Sequence, residues 1–216
     1  MDFKKKYFEN ISHYESCFEK FGDTHKGYDW PKEKDVDTRH RVMLDVINTE
    51  KKQEKITLLD FGCGGSHFYE YILRNKFDTV IKYSGLDIVE KFISVSKIKF
   101  PLNDYYCFDI LNDQNVLPDF DYIVINGALT AKRYLSFDDM NEYFQAIIRS
   151  VFRKARRGIE FNVMSKQVDW EREDLFHLPF DVLATFLTKH VSRHFVIRHD
   201  YGLYEYTVYV YKSPSW

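Results

Sequence analysis

Little in this sequence supports a disulfide-stapled, membrane-spanning or polyanion-binding protein. Cysteine is scarce: Cys17, Cys63 and Cys107 are far apart and odd in number. No pair has metal-ligand spacing, so no metal site is expected, and a reduced, cytoplasmic compartment is the simple inference. Charge of one sign is not in surplus, since 31 Lys and Arg face 33 Asp and Glu. Broad binding to phosphate backbones needs such a surplus on one face, so nucleic acid is not expected as a partner. The one basic cluster, Arg149, Arg153, Lys154, Arg156 and Arg157, falls where a helix should end, and cations there complement the helix dipole. No apolar run approaches a membrane span, so no membrane partner is expected. Met1-Asp2-Phe3-Lys4-Lys5-Lys6 is charged and no apolar stretch follows it, unlike a secretory signal. Internal repeats, low-complexity tracts and linkers rich in Pro, Gly or Ser are also missing.

What remains fits one domain of 216 residues. Aromatics are abundant at 18%. Two readings stay open for them: A/T-rich codon usage, or a ligand pocket rich in stacking surfaces. Residues 1–54 are polar and aromatic and are expected to form a helical lid segment. Within them, Val36, Val42, Met43, Leu44, Val46 and Ile47 are spaced as one buried helical stripe. Gly22, Gly27 and Pro31 break the chain before it.

From residue 55 onward strands and helices alternate. TLLDFG (57–62), YSGLDI (83–88), 105–109, DYIVIN (121–126) and GIEFNV (158–163) read as strands. Helices are expected over 66–74, with Ser66 as N-cap, from residue 89 through about 98, over 138–154 and over 180–190. This order implies a parallel sheet with helical crossovers. The end differs. Residues 195–200 and the alternating YEYTVYVYK (204–212), joined by a tight turn at 201–203, read as a C-terminal hairpin.

Asp60-Phe61-Gly62-Cys63-Gly64-Gly65-Ser66 follows the first strand and opens the first helix. Ligands sit outside the carboxyl ends of parallel strands, and glycine lets the backbone turn sharply and approach them. A dinucleotide loop also needs a third small residue, three after Gly64, for helix–strand packing. That residue is His67, which counts against a nicotinamide-dependent oxidoreductase. Asp87 ends the second strand, where an acid can accept from a ribose diol. Asp109 ends the third, where an acid can accept from an adenine amine while Ile110 packs on the purine. Each acid alone is more often a cap. Together they occupy three successive strand ends on one rim.

The glycine loop, Asp87 and Asp109 resemble the first three motifs of the class I methyltransferases, and the terminal hairpin resembles that family's last two strands. The resemblance implies a Rossmann-like three-layer sandwich, with a seven-stranded, mostly parallel sheet and an antiparallel C-terminal hairpin. It also implies S-adenosylmethionine as cofactor. Asp60, Gly62 and Gly64 would then lie at the methionine part, Asp87 and Ile88 at the ribose, and Asp109 and Ile110 at the adenine. Asn126 and Gly127 would lie near the sulfonium. A narrower resemblance covers GDTHKGYDW (22–30) with Arg39, Phe161-Asn162 with Met164, and RHDYGLYE (198–205). It is to small bacterial methyltransferases tied to capsule and lipopolysaccharide pathways, and it implies a small-molecule or saccharide-precursor acceptor. An amino-methylating DNA enzyme would carry Asn or Asp, two prolines and an aromatic after the fourth strand; here the run is Asn126-Gly127-Ala128-Leu129. A scaffold that kept the fold without catalysis is a further alternative, against which the intact acidic positions count.

Methyl transfer mainly needs positioning, because the donor is already activated. A hydroxyl acceptor also benefits from a base, usually His. His199 is the first candidate, with Asp200 beside it, although neighbours on a strand point to opposite faces. The alternative is that the pair holds the hairpin. His13 and His25 are rivals if the lid folds over the pocket. Arg39 can pair with the cofactor's carboxylate or with Asp35 or Asp37. Trp30 can line the pocket or staple the lid. Lys132 and Arg133 can bind an anionic acceptor or remain solvated loop charges.

Overall fold

The structure, a computed structural model, describes residues 3–47, 55–111 and 117–214. The expected boundary between lid and body, 54/55, falls against a segment outside the described residues. The first two helices are α1 (Phe3–Phe21) and α2 (Glu33–Leu44). A short 3-10 turn, His25–Tyr28, sits between them. The alternating part follows as β1 (Ile56–Phe61), α3 (His67–Arg74), β2 (Ile81–Asp87), α4 (Glu90–Lys99), β3 (Asp104–Cys107), β4 (Phe120–Ile125), α5 (Phe137–Lys154) and β5 (Ala155–Ser165). It closes with β6 (His177–Leu178), α6 (Phe180–His190), β7 (Phe195–Arg198) and β8 (Glu205–Tyr211).

The sheet order is β3-β2-β1-β4-β5-β8-β7. Strands β1 to β5 are parallel, and β8 runs antiparallel to both β5 and β7. The expected hairpin therefore forms. The strand count differs from the expected seven, because a two-residue β6 pairs with the far end of β5 beyond the reach of β4. Two residues carry too little period-two signal to be read from sequence.

Side chains alternate across the sheet and fill a core on each face. Leu59, Ile123, Ile125, Ile159, Phe161, Val163, Tyr206 and Val208 pack with α5 and α6 on one side. Leu58, Tyr83, Tyr122, Val124 and Tyr209 pack with α2 and α3 on the other. The result is three layers. Burying each large apolar side chain contributes about 1.5–3 kcal/mol. Near-continuous hydrophobicity in β4 and β5 follows from being covered on both faces. Ser66 does precede α3, but not as expected. It is left-handed (φ 61°), makes no side-chain cap bond, and donates instead to Ser96 Oγ at 2.8 Å.

Parallel strands place all their carboxyl ends on one rim. Asp60 pairs in register with Gly85 and Val124, Asp87 with Cys107, and Ile125 with Phe161. Phe61, Asp87, Cys107 and Ile125 therefore end together, and the chain leaves the sheet there in turns.

Candidate functional site

A cavity of about 460 Å³ lies over that rim. It is within the size range of small-molecule sites. The expected residues Gly62, Gly64, Asp87, Ile88, Asp109, Ile110, Asn126, Gly127, Trp30 and Arg39 all line it.

The glycine loop is held to the second strand by Asp87. One Asp87 oxygen accepts from Gly64 N and the other from Val89 N, both at 2.9 Å. Burial raises this carboxyl to about 6, against the backbone donors of Val89, Gly64 and Ile88 that pull it down. Each carboxylate oxygen has a second lone pair, so the group can still accept from a diol. Gly64 has φ +52°, and a Cβ there would stand 2.8 Å from the Tyr28 ring. Gly64→Val should therefore displace Tyr28 and strain the loop. We expect cofactor affinity to drop about five- to thirtyfold, the scale of 1–2 kcal/mol of left-handed strain. Equal affinity in calorimetry would contradict the loop's role.

Asp60 does not join the cavity. It is 2% exposed, accepts from Tyr83 Oη at 2.9 Å, and borders a smaller void beneath the loop. It lies one residue before the end of β1, with its side chain turned toward Tyr83. Asp109 accepts from Leu111 N at 2.9 Å, which shapes the turn after β3. Ile110 is 1% exposed and Phe108 half-buried, so this end of the cavity is apolar.

The centre of the cavity is a closed circuit. Arg39 forks onto Glu205 at 2.6 and 2.8 Å. Asn162 Nδ2 donates to the same carboxylate at 2.9 Å, and Asn162 Oδ1 accepts from Gly127 N at 2.7 Å. Trp30 closes the ring: its face lies 4.7 Å from the Arg39 guanidinium, and a Cβ on Gly127 (φ +82°) would meet it at 3.2 Å. Arg39 thus pairs with neither Asp35 nor Asp37, and Asp37 binds Arg74 at 2.6 Å. Its Nη1 is buried and has no hydrogen-bond partner among the described residues. Asn162 and Glu205 carry this circuit, and sequence reading assigned neither a role. The hint was in the sequence, because a polar Asn amid Phe161 and Val163 needs a partner when buried.

The N-terminal segment folds over the loop. Tyr28 Oη donates to Asp23 at 2.9 Å, while His67 and Lys99 bind the same carboxylate at 2.9 and 2.8 Å. Burial alone would raise Asp23, but these three partners hold it well below the usual carboxylate range. His67 is thus committed to the lid, which explains a large residue where a dinucleotide loop needs a small one.

The candidate bases lie elsewhere. His199 is exposed and stands edge-on to Phe180 at 5.8 Å, outside the cavity lining. Its strand is the outermost, separated from β5 by β8, so two strand spacings of about 4.8 Å intervene. Asp200 binds Arg198 at 2.7 Å rather than the imidazole. His13 sits behind the cavity wall, with its Nε2 taken by Arg133 at 2.6 Å. His13, Cys17 and Asp29 do converge, and the cation among them is the Arg133 guanidinium. Arg133 lines the cavity but is already paired, and Lys132 turns back to the Leu135 carbonyl at 3.3 Å. His25 borders only the smaller void.

No family model matches the sequence. A Mycobacterium tuberculosis protein provisionally named a methyltransferase is 24% identical over 165 residues, covering 74% of this chain and 95% of that protein. Among solved structures, the magnesium protoporphyrin IX methyltransferase of Synechocystis, with bound SAM, superposes with a TM-score of 0.63. It is 13% identical and covers 96% of this chain and 97% of that one. A SAM-dependent methyltransferase of Leishmania major gives 0.65 at 15% identity, covering 96% and 83%. The fold is that of the class I methyltransferases. In that methyltransferase fold, β1 to β5 supply the parallel rim and β7–β8 the terminal hairpin described above. Among the described residues no helix is long and apolar enough to cross a membrane.

Proposed function

We propose that the protein transfers a methyl group from S-adenosylmethionine to a small-molecule acceptor. One observation carries this reading. Gly62 and Gly64, Asp87, and Asp109 with Ile110 leave three successive strand ends and line one cavity. The residues fit the cofactor's parts. The Asp87 carboxylate suits a ribose diol, and the apolar end at Phe108 and Ile110 suits a purine. The unpartnered Arg39 Nη1 suits a carboxylate. When bound, the cofactor supplies an activated methyl group on a positive sulfur. The acceptor's lone pair takes that methyl, the carbon–sulfur bond breaks toward sulfur, and the acceptor's proton leaves to water or a base. The protein's own part is to align donor and acceptor and exclude water. Asn126, Gly127 and Trp30 surround the place where the two would meet. The lid formed by residues 1–54 would close the site.

The finer form of the proposal is a saccharide-precursor acceptor, used in a cytoplasmic capsule or lipopolysaccharide pathway. The resemblance of GDTHKGYDW (22–30) and RHDYGLYE (198–205) supports it.

Asp87→Ala should weaken S-adenosylmethionine binding by about 1–3 kcal/mol, the scale of a hydrogen bond to a charged group. Isothermal calorimetry on the folded variant measures this. An unchanged Kd would remove the ribose assignment, and absence of binding to the parent protein would remove the methyl donor.

A further inference from the structure

The residues that suit a donor's ribose and adenine line only part of the cavity, the part over β1 to β3. The rest lies beyond the ends of β4 and β5, walled by the turn after β4, the segment after β5 and the turn before β8. There Trp170 and Tyr204 stand with ring centres 4.8 Å apart at 60°. They are 38% and 44% exposed, although both line the cavity. Open aromatic faces at a cavity wall are stacking surfaces for a ring.

Beside them runs a row of alternating charge. Arg172 forks onto Asp174 at 3.0 and 2.5 Å. Asp174 lies 3.6 Å from Arg133, and Arg133 binds Asp29. Two guanidiniums thus meet two carboxylates, and the row is neutral. Across the whole lining, six carboxylates face four cations. The lining as a whole is therefore negative, which would benefit a sulfonium, and in the far part each guanidinium already meets a carboxylate.

We infer that this far part is the acceptor subsite and takes an uncharged, hydroxyl-bearing ring, stacked on Trp170 and hydrogen-bonded along the row from Arg172 to Asp29. The inference rests on the methyl-transfer reading and adds where the acceptor binds and what it must carry. A hydroxyl both donates and accepts, so it can bridge a guanidinium and a carboxylate without separating them. A phosphate or carboxylate would find a carboxylate already beside each guanidinium. An ammonium only donates, and the guanidiniums of Arg133 and Arg172 offer it no acceptor.

The test first measures S-adenosylmethionine binding by calorimetry, then radiolabelled methyl transfer to methyl hexosides, their 6-phosphates and the matching uronic acids. Neutral hexosides should be the accepted compounds. Trp170→Ala should raise the acceptor KM at least tenfold while the cofactor Kd stays within twofold. Asp174→Asn frees Arg172 and leaves Arg133 held by Asp29 alone, so hexose 6-phosphates should inhibit it at least tenfold more tightly than the parent. If that variant fails to fold, Trp170→Ala, at a partly exposed position, still decides. The inference is overturned if a charged compound is methylated in preference to its neutral parent, if no hexoside is accepted by protein that binds the cofactor, or if Trp170→Ala keeps the parent's KM. A parent protein that does not bind S-adenosylmethionine would instead strike the methyl-transfer reading.

Discussion

Glu205→Ala should lower the midpoint of thermal unfolding by about 6–20 °C. The figure combines two scales. Removing one partner of a buried ion pair costs about 3–5 kcal/mol, and a domain of this size shifts by about 2–4 °C per kcal/mol. The pair qualifies, because Arg39 and Glu205 side chains are 13% and 5% exposed and meet in a two-point fork. Without Glu205, the Arg39 guanidinium stays in the wall uncompensated, and Asn162 Nδ2 loses its acceptor. The double variant Arg39→Met with Glu205→Leu should recover part of the loss, since neither charge is then stranded. Differential scanning calorimetry on the three proteins measures the cycle. A single variant that melts with the parent would show that water reaches the pair and screens it.

Asp60→Asn should stabilise the protein, and only above acid pH. Burial raises the Asp60 carboxyl from 3.8 to about 7, with the charge of Asp87 adding to it and the Tyr83 hydroxyl opposing. A folded-state pKa above the unfolded one means that the native protein holds this proton more tightly. Its contribution is complete below about pH 4 and is lost as pH rises to about 7. A rise of roughly three units corresponds to about 4 kcal/mol lost by neutral pH. Asparagine has no charge to desolvate and can still accept from Tyr83. The variant's advantage in urea midpoint should be near zero at pH 4 and largest at pH 8. An advantage constant with pH would refute the buried-acid explanation.

The sequence made the layered architecture legible because the central strands are covered on both faces. Ile123 and Ile125 serve one core and Tyr122 and Val124 the other, so DYIVIN reads as a short apolar run between polar ends. The donor part of the cavity was legible for a related reason. Its residues are tied to strand ends, and strand ends follow from pattern. Asp60 shows the limit: its place in the motif is plain, but which way its side chain turns depends on Tyr83, 23 residues later. His199 shows another. Its adjacency to the hairpin is local, whereas its distance from the cavity depends on β8 inserting between β5 and β7. The acceptor subsite was hidden because its parts come from segments far apart. Asp29, Arg133, Asp174 and Tyr204 meet through loops, which carry no periodicity.

The chain has three tryptophans, and two of them border different parts of the same hollow. Trp30 leans on a guanidinium beneath the folded N-terminal segment, and Trp170 meets solvent at the mouth. With Trp216 changed to Phe, the two indoles become independent optical probes. Emission from Trp30 should respond as donor enters, and emission from Trp170 as acceptor does. The order in which two ligands arrive can then be followed in a stopped-flow mixer, without any label.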